Sequence, residues 1–389
     1  MNESEFDAHK LAGDNQNVNG GRHRRNPRAR SEYTRWLIFF AIAAILGSYV
    51  LVFMPTQYVI FSPGTAEEVK PMIHVQDGDP SEQGTFMLTT VRMTYANLFS
   101  YLYASVTPHT EILQKKNVFS EGENESEYSK RQQMIMIDSQ TNAMQAAYKR
   151  AGVPYHVVTQ GTVVLRTIHD LPVAKVLKSG DKLIKLDRTA IKSSADVYAF
   201  MEKKQVGDTV TVTFERNGKV KTAAIVLVDL SKQDPQAKPG LPRPGLGLVP
   251  ADLMRVQADD PAKQVSIQVD DIGGPSAGLM FSLEIFNQLT PGDLTKGYRI
   301  AGTGEIDPQG NVGVIGGIRH KVVAADREKA DIFFAPEDLK FQDPKYPPIL
   351  NYSEAVAEAK AIGTKMKVVP VKTMDDALAY LKKLSPKTK

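Results

Sequence analysis

The chain of 389 residues contains no cysteine. Disulfide scaffolds, thiol nucleophiles, zinc ribbons and iron–sulfur clusters all require thiols, so the sequence excludes each of them. The seven histidines form no H-x-x-x-H pair of the kind that holds a catalytic zinc ion. We therefore expect no metal and no cofactor.

An excess of charge of one sign is also lacking. The chain has 48 Lys+Arg and 44 Asp+Glu. Residues 1–35 contain seven of the basic and five of the acidic residues, so the rest of the chain has 41 basic and 39 acidic residues. This balance does not indicate a basic surface, so we expect no nucleic-acid partner. The motif G-x-x-x-x-G-K-[ST], which cradles nucleotide phosphates, does not occur, so we expect no nucleotide either.

One long apolar run is present, from Trp36 to Met54, with nineteen residues and no charge. At about 1.5 Å per helical residue, this run approaches the hydrocarbon thickness of a bilayer. Arginines outnumber acids just before it, and the positive-inside rule then keeps the N-terminus in the cytoplasm. We expect residues 1–35 to form a disordered cytoplasmic tail and residues 36–55 a single-pass transmembrane anchor in the cell membrane. The remaining chain would lie outside the cytoplasm.

Two other interpretations of this run stay open. A cleaved signal peptide usually has an apolar region of about 7–15 residues that ends at a small-x-small site. This run is longer and continues into Phe53-Met54-Pro55. The second alternative is a buried helix in the core of a soluble protein. Such a helix is rarely apolar on all of its faces over nineteen residues, as this run is. The pattern favours a retained anchor that contacts the lipid bilayer through residues 36–55.

The rest of the chain divides by composition and pattern. Short runs rich in Val, Ile, Thr and Phe predict an ordered extracytoplasmic segment over residues 56–125. Residues 126–230 begin with a long helical pattern and continue as short strands separated by Gly and Asp turns. Four prolines mark residues 231–246 as a semi-rigid linker. Residues 247–389 alternate strands and helices in an α/β pattern.

A candidate nucleophile lies in Gly274-Pro275-Ser276-Ala277-Gly278, between a strand-like run and an amphipathic helix. Proline suits the first turn of a helix because its missing N–H costs nothing there. Ser276 would then lie at the positive end of the helix dipole, where the N–H groups of Gly274, Ser276 and Ala277 could stabilise an oxyanion. Taken alone, the motif is equally typical of a turn in which Ser276 caps the helix.

A candidate base lies in Gly316-Gly317-Ile318-Arg319-His320-Lys321, where a second glycine-initiated helix begins. Lys321 flanks an apolar stripe, and desolvation lowers the pKa of an amine until its neutral form can accept a proton. A serine and a neutral lysine are what a Ser–Lys dyad requires. For this helix alone, the alternative is an exposed lysine whose stem covers the stripe.

Together, the two motifs closely resemble the proteolytic domain of Lon-type Ser–Lys peptidases, and the matching pattern covers most of residues 246–385. The resemblance implies that Ser276 is the nucleophile and Lys321 the general base. It also implies that Thr303, in Thr303-Gly304-Glu305, supplies a hydroxyl that helps to hold the lysine.

The sequence departs from that family at two points. Cytoplasmic Lon enzymes usually carry an acid three residues before the serine, where this chain has Gly273. Whether Asp271 replaces that acid stays open. The ATPase that powers ordinary Lon is also absent, so we expect ATP-independent cleavage of peptides or unstructured proteins. Lon peptidase domains often form rings, so the resemblance leaves a homo-oligomer open.

Residues from about Gly161 onward resemble a PDZ domain, chiefly through Leu177-Lys178-Ser179-Gly180-Asp181 and the strand that follows it. PDZ domains bind an extended chain as an added strand. The resemblance implies a peptide-binding strand that includes Gly161, Val163 and Leu165. The usual G-Φ-G-Φ loop is missing, and the alternative is a structural PDZ domain that covers or orients the active site.

An anchor, a PDZ domain and a Lon-type domain in this order resemble the membrane-tethered, ATP-independent branch of the Lon family, some of whose members trim peptide signals outside the cell. The resemblance implies an α+β fold. Its parts are a transmembrane helix, a PDZ domain built as a β-rich, partly open barrel with helices, and a proteolytic α/β domain. In that branch the segment before the PDZ domain belongs to the peptidase, so we expect residues 56–125 to pack with residues 247–389.

We thus expect an extracytoplasmic serine endopeptidase, with two alternatives. An α/β-hydrolase also satisfies G-x-S-x-G, but its histidine could only be His320, and roughly 110 residues after the serine are few for its sheet. The second alternative is a PDZ membrane adaptor with an inactive peptidase fold. The presence of both Ser276 and Lys321 counts against it.

Overall fold

A computed structural model describes residues 27–79, 81–231, 242–269 and 272–388. The predictions made for the tail before residue 27, for residues 232–241 of the linker and for Asp271 lie outside the described residues. The chain divides into two units, Met1–Met54 and Pro55–Lys389.

Helix α1 (Pro27–Phe53) makes up most of the described part of the first unit. Its stretch Tyr33–Phe53, with 21 residues, is apolar, exposed and long enough to cross a membrane, since it spans about 30 Å. Residues 27–35, which we expected to belong to a disordered tail, are helical. A helix that has already nucleated in the apolar run extends at little further cost.

The described part of the second unit contains the helices and strands given below. The helices are α2 Leu98–Ala104, α3 Glu125–Ala151, α4 Ser194–Met201, α5 Gly278–Leu289, α6 Ile318–Arg327, α7 Asn351–Ala361 and α8 Met374–Lys383. The strands are β1 Pro55–Glu68, β2 Ile73–Val75, β3 Thr85–Asn97, β4 Glu111–Gln114, β5 Tyr155–Thr167, β6 Lys182–Leu186, β7 Thr189–Ala190, β8 Thr209–Arg216, β9 Lys219–Val226, β10 Val228–Asp229, β11 Pro244–Gly245, β12 Leu248–Ala258, β13 Val265–Ile267, β14 Arg299–Gly302, β15 Glu305–Ile306, β16 Val312–Gly313, β17 Ile332–Pro336 and β18 Lys367–Val371.

The first sheet of this unit has the strand order β18-β17-β14-β3-β1-β4. Strands β3, β14, β17 and β18 are parallel, whereas β1 is antiparallel to both β3 and β4. Strands β1, β3 and β4 lie before the PDZ-like region in sequence, and β14, β17 and β18 lie after it. Two distant stretches of sequence therefore form one sheet.

Side chains of this sheet alternate between two helical layers, as expected for strands that are buried on both faces. Phe86 and Leu88 of β3 belong to the core shared with α3, α5 and α8. Met87, between them, belongs to the core shared with α6 and α7. The helices α5 and α6, which follow the two sequence motifs, thus pack on opposite faces of one sheet.

The second sheet has the strand order β12-β5-β6-β8-β9, with β7 paired to β6, and its pairs are antiparallel. Leu183 of β6, Val212 of β8 and Val197 of α4 help to fill a separate core under this curled, partly open sheet. An apolar N-terminal helix, a curled β module and an α/β module confirm the predicted fold class.

Two elements also make contacts outside the modules in which we expected them. Helix α3, which we expected to lead the PDZ domain, packs on α5 and contributes Met136, Ala143 and Ala147 to the first core. Strand β12, which we expected in the proteolytic domain, pairs along β5 from Leu248 with Thr167 to Ala258 with Tyr155. In both cases the partner is distant in sequence, and packing rather than local pattern decides the placement.

Candidate active site

The loop before α5 presents Ser276. Helix α5 begins at Gly278 and is preceded by Ala277 as its N-cap, so Pro275 lies before the helix and not in its first turn, as we had expected. Ser276 is half-buried beside the helix N-terminus. Gly274 has φ +91°, in the left-handed region that favours glycine. The turn therefore depends on a glycine two residues before the serine.

Helix α3 holds this loop in place. Gly274 N donates to Gln132 O at 2.9 Å, and Ser139 Oγ donates to Pro275 O at 2.8 Å. A Cβ added at Gly278 would lie 2.8 Å from Ser139 Oγ, so the helix and the loop are in close contact. The sequence analysis did not find Gln132 and Ser139, because no local pattern marks a helix that supports a loop so far away in the chain.

Lys321 of α6 reaches Ser276 from the other face of the sheet. Its side chain is buried, with 3% of the residue exposed, and its Nζ lies 3.0 Å from Ser276 Oγ. Nζ also donates to Thr89 O at 2.5 Å. Burial lowers the pKa of Lys321 to about 7. The amine can therefore be neutral near neutral pH, which a base for the serine hydroxyl requires.

Thr303 lies at the site but makes a different contact from the one expected. Its Oγ1 donates to the carbonyl oxygen of Ser276 at 3.0 Å, not to Lys321. Gly304 N donates to the same oxygen at 2.8 Å. Thr303 therefore positions the backbone of the candidate nucleophile, while the amine of Lys321 is held by Thr89 O.

The register between two parallel strands explains why these groups meet. Leu88 of β3 pairs with Gly302 of β14, and the next residues along the two strands are Thr89 and Thr303. Thr89 Oγ1 also donates to Gly302 O at 3.1 Å. Strand β14 ends at Gly302, and the carboxyl end of a parallel strand is a common position for sites in α/β folds. The sequence analysis did not find Thr89, because its contribution is a main-chain carbonyl that carries no residue signature.

The predicted oxyanion donors differ in availability. The N–H of Gly274 is already bonded to Gln132 O, so this residue is not a free donor. For the N–H groups of Ser276 and Ala277 the structure shows no acceptor among the described residues. These two groups, next to the N-terminus of α5, are the donors that a developing oxyanion could use.

His320 does not join the serine. Its ring is buried and its Nε2 lies 3.5 Å from Glu111 Oε2. Burial lowers the pKa of His320 despite that carboxylate. The side chain that hydrogen-bonds Ser276 Oγ is Lys321, so the geometry does not assemble the Ser–His pair that an α/β-hydrolase needs.

A groove of about 900 Å³ contains Ser276 and Lys321. It runs between strands β1 and β3, helix α3 and the loops before α5 and α6. Its lining is mixed and includes Val91, Tyr128, Gln132, Ile272 and Ile315. Within the described ranges no group of three or more His, Asp or Glu side chains could hold a metal ion. Its volume lies within the range of about 300–1,000 Å³ that is usual for ligand-binding clefts.

The predicted peptide-binding strand of the PDZ module has no open edge at its centre. Val163 of β5 pairs with Ala251 of β12 on one side and with Lys182 of β6 on the other. Strand addition needs an unpaired edge, which Val163 lacks in this conformation. The expected peptide site at Gly161, Val163 and Leu165 stays a prediction.

Asp252 fastens β12 to the PDZ module. Its Oδ1 accepts hydrogen bonds from Thr162 Oγ1 at 2.9 Å and from Ser194 N at 2.6 Å. Its Oδ2 accepts one from Ser194 Oγ at 2.9 Å. Strand β12 is thus bonded both to β5 and to the start of α4. The sequence analysis did not identify Asp252.

The arrangement is that of a two-module protein, with one α/β module that carries a serine beside a buried lysine and one curled β module. Two family models match accordingly: a PDZ domain over residues 140–227 and the Lon protease (S16) C-terminal proteolytic domain over residues 270–381. The chain therefore contains one region that matches a PDZ domain and one that matches a Lon-type proteolytic domain, as its motifs predicted.

Similar stretches occur in known proteases. The Lon protease of Aster yellows witches'-broom phytoplasma is 27% identical over 108 residues, which are 28% of this chain and 12% of that protein. The serine protease Do-like HtrA of Lactococcus lactis is 41% identical over 71 residues, which are 18% of this chain and 17% of that protein. The chain thus spans less than a fifth of these relatives.

A solved structure is similar over the PDZ module. The PDZ domain of the SdrC-like protein from Listeria monocytogenes is 31% identical, and the match covers 24% of this chain and 90% of that domain, with a TM-score of 0.21.

Proposed function

We propose that this protein is a membrane-anchored, extracytoplasmic serine endopeptidase that works without ATP. The observation that carries the proposal is the buried amine of Lys321, 3.0 Å from Ser276 Oγ and with a pKa lowered to about 7. A serine hydroxyl is a weak nucleophile by itself, and an adjacent neutral amine makes it reactive. The Lon-type family match supports the same chemistry.

The reaction follows from the positions of these groups. Neutral Lys321 takes the proton of Ser276 Oγ as that oxygen attacks the scissile carbonyl, and returns it to the leaving amine. The N–H groups of Ser276 and Ala277 stabilise the oxyanion. Water then attacks the acyl-enzyme ester, with Lys321 again as base. Thr303 and Gly304 hold the Ser276 carbonyl, so the nucleophile keeps its orientation through both steps.

Substrates of this site are short or already extended peptides. The groove has a volume of about 900 Å³, and the sequence has no phosphate-binding motif of an ATPase that could unfold a protein. An apolar N-terminal helix preceded by arginines supports anchoring with the second unit outside the cytoplasm. Peptide signals and unstructured secreted proteins are substrates of this kind.

The PDZ module has a structural role in this proposal. Its strand β5 is paired with β12, which precedes β13 and the loop of Ser276 in the chain. In this conformation, peptides reach the site through the groove and not through β5.

Cleavage of an unstructured peptide library tests the proposal, with the full chain in nanodiscs and without ATP or metal. We expect Ser276→Ala and Lys321→Met to be inactive. The matched controls Ser282→Ala, in α5, and Lys329→Met, just after α6, should remain active, as should His320→Ala. Methionine keeps the length and apolar contacts of the lysine stem and removes only the amine.

Other outcomes would select another function. Loss of activity in His320→Ala with an active Lys321→Met would restore the Ser–His hydrolase. A wild type that cleaves nothing in the library would favour the PDZ adaptor with an inactive peptidase fold. Strict dependence on ATP would contradict the proposal directly.

A further inference from the structure

Helix α2 and the turn after it expose several large apolar side chains. Phe99, Leu102 and Tyr103 are 57%, 55% and 63% exposed, and Val106 is 81% exposed. The rings of Phe99 and Tyr103 stack at a centroid distance of 6.4 Å. These four residues are called the α2 patch.

The opposite face of α2 is packed firmly on the second unit. Ala104 is buried in a small cluster with Ile60 and Ala96. The ring of Tyr101 lies 4.9 Å from that of Tyr58. The orientation of α2 is therefore fixed by packing. Its other face contacts the second unit, so the apolar side chains of the patch point outward.

The α2 patch lies where the chain enters the second unit. Asn97, the residue before α2, is the strand partner of Pro55, the first residue of β1. Only Met54 separates Pro55 from Phe53, the last residue of the apolar helix. Whatever angle the two units adopt, a bilayer that contains this helix has its surface within a few residues of Pro55, and therefore beside α2.

The charges around the α2 patch also fit a lipid surface. No Lys, Arg, Asp or Glu occurs between Arg92 and Glu111. The exposed Lys116 follows β4, whose Gln114 pairs with Tyr58 near the start of β1. Aromatic and aliphatic side chains with a neighbouring basic residue are the composition of interfacial membrane segments.

We propose that the α2 patch docks the second unit onto the outer surface of the bilayer that α1 spans. Phe99, Leu102, Tyr103 and Val106 enter the boundary between acyl chains and headgroups, and Lys116 contacts lipid phosphates. This proposal rests on the anchored topology of the proposed function, but not on its dyad. Docking sets the height of the groove above the membrane and favours substrates at the same membrane.

Site-directed spin labelling of the full chain tests the docking, and the absence of native cysteine makes each introduced cysteine unique. A nitroxide is placed at Val106→Cys in nanodiscs of phosphatidylcholine and phosphatidylglycerol. The matched control is Val220→Cys on β9, another exposed valine at 65%. We expect the label at 106 to be accessible to oxygen and protected from a water-soluble nickel complex, and the label at 220 to show the reverse.

Charge placed in the patch should reverse this result. In the Val106→Cys background, Phe99→Asp with Tyr103→Asp should return the label to nickel accessibility. Phe341→Asp with Tyr346→Asp changes another exposed aromatic pair, with ring centroids 5.8 Å apart, and should leave the label in lipid.

The outcomes separate this proposal from the proposed function. A label at residue 106 that is accessible to the nickel complex in nanodisc-bound protein overturns docking. Spin–spin broadening between labels at residue 106 also overturns it, and indicates contact between two copies of the chain instead. Cleavage of a soluble peptide is measured in the same samples. If the peptide is cleaved while the label is exposed to water, the docking proposal fails and the peptidase proposal stands. If the label is protected by lipid but the peptide is not cleaved, the docking proposal stands and the peptidase proposal fails. A chain that does not associate with lipid overturns the anchor and docking together.

Discussion

The amine of Lys321 lies 3.0 Å from the hydroxyl of Ser276, although the two residues belong to segments on opposite faces of the first sheet. Its other hydrogen bond goes to a main-chain carbonyl, that of Thr89. Burial is the cause that lowers the pKa of this amine to about 7. The fold thus holds a lysine where its neutral form is populated near neutral pH.

The pH dependence of cleavage should follow Lys321. In the proposed mechanism the neutral amine is the base, so kcat/KM should rise with pH through about 7 and level off above it, with a fall of about tenfold per pH unit well below the pKa. A pH–rate profile on one soluble peptide measures this. His320→Ala should keep the same midpoint, since His320 contacts Glu111 and not Ser276. A profile that falls above pH 7, or a midpoint that moves in His320→Ala, would contradict the assignment.

Thr303 should act as a positioning residue. Thr303→Val removes the hydroxyl that donates to Ser276 O and keeps the side-chain shape. A neutral hydrogen bond contributes about 0.5–1.5 kcal/mol, so we expect kcat to fall by up to about tenfold with KM nearly unchanged. Thr303→Ser should restore kcat because it restores the donor. A changed KM, or no rescue by serine, would indicate that the hydroxyl supports packing instead.

Asp252 should contribute to stability at the junction of β12 and α4. Asp252→Ala removes acceptors for Ser194 N and Thr162 Oγ1, and a buried donor left without an acceptor costs about 1–3 kcal/mol. Asp252→Asn keeps an oxygen acceptor and should lose less. Urea unfolding, followed by far-ultraviolet circular dichroism, measures the free energy of unfolding of both variants. If alanine and asparagine behave alike and like the wild type, β12 is not held by this side chain.

Glu284 should make the fold less stable as pH rises. It is fully buried, and burial together with neighbouring Glu82 raises its pKa to about 8 from an ordinary value of 4.5. Lys70 opposes this shift and Asp293 adds to it. The folded protein therefore holds a proton that the unfolded chain releases, so this group's contribution to stability falls between about pH 4.5 and pH 8.

Replacing this carboxyl tests the effect. Glu284→Gln cannot ionise and still offers an oxygen to Gln288 Nε2, which donates to Glu284 Oε1 at 2.6 Å. We expect a higher melting temperature at pH 8 than wild type and a smaller difference at pH 5. The exposed Glu354→Gln serves as the control. An equal effect of Glu284→Gln at both pH values would show that the carboxyl is already ionised in the folded protein.

Much of the site could be predicted from sequence because its chemistry lies in short, local motifs. A glycine-rich turn before an amphipathic helix marked Ser276, and a lysine on the flank of an apolar stripe marked Lys321. Thr303 was found only through a resemblance, and its contact proved different, because the partner of a hydroxyl depends on the register between strands. Pairing of Leu88 with Gly302 brings Thr89 and Thr303 to the same point.

The sequence by itself determined the apolar helix, the two glycine-rich motifs of the candidate site and the two-module α+β class. These features depend on local composition, periodicity and turn chemistry, which are properties of residues close together in the sequence. Only the tertiary structure decided that α3 supports the Ser276 loop, that β12 covers the edge of β5 and that α2 turns an apolar face outward beside Pro55. Each of these depends on contacts between residues far apart in the chain, where packing and strand pairing, and not local propensity, select the partner.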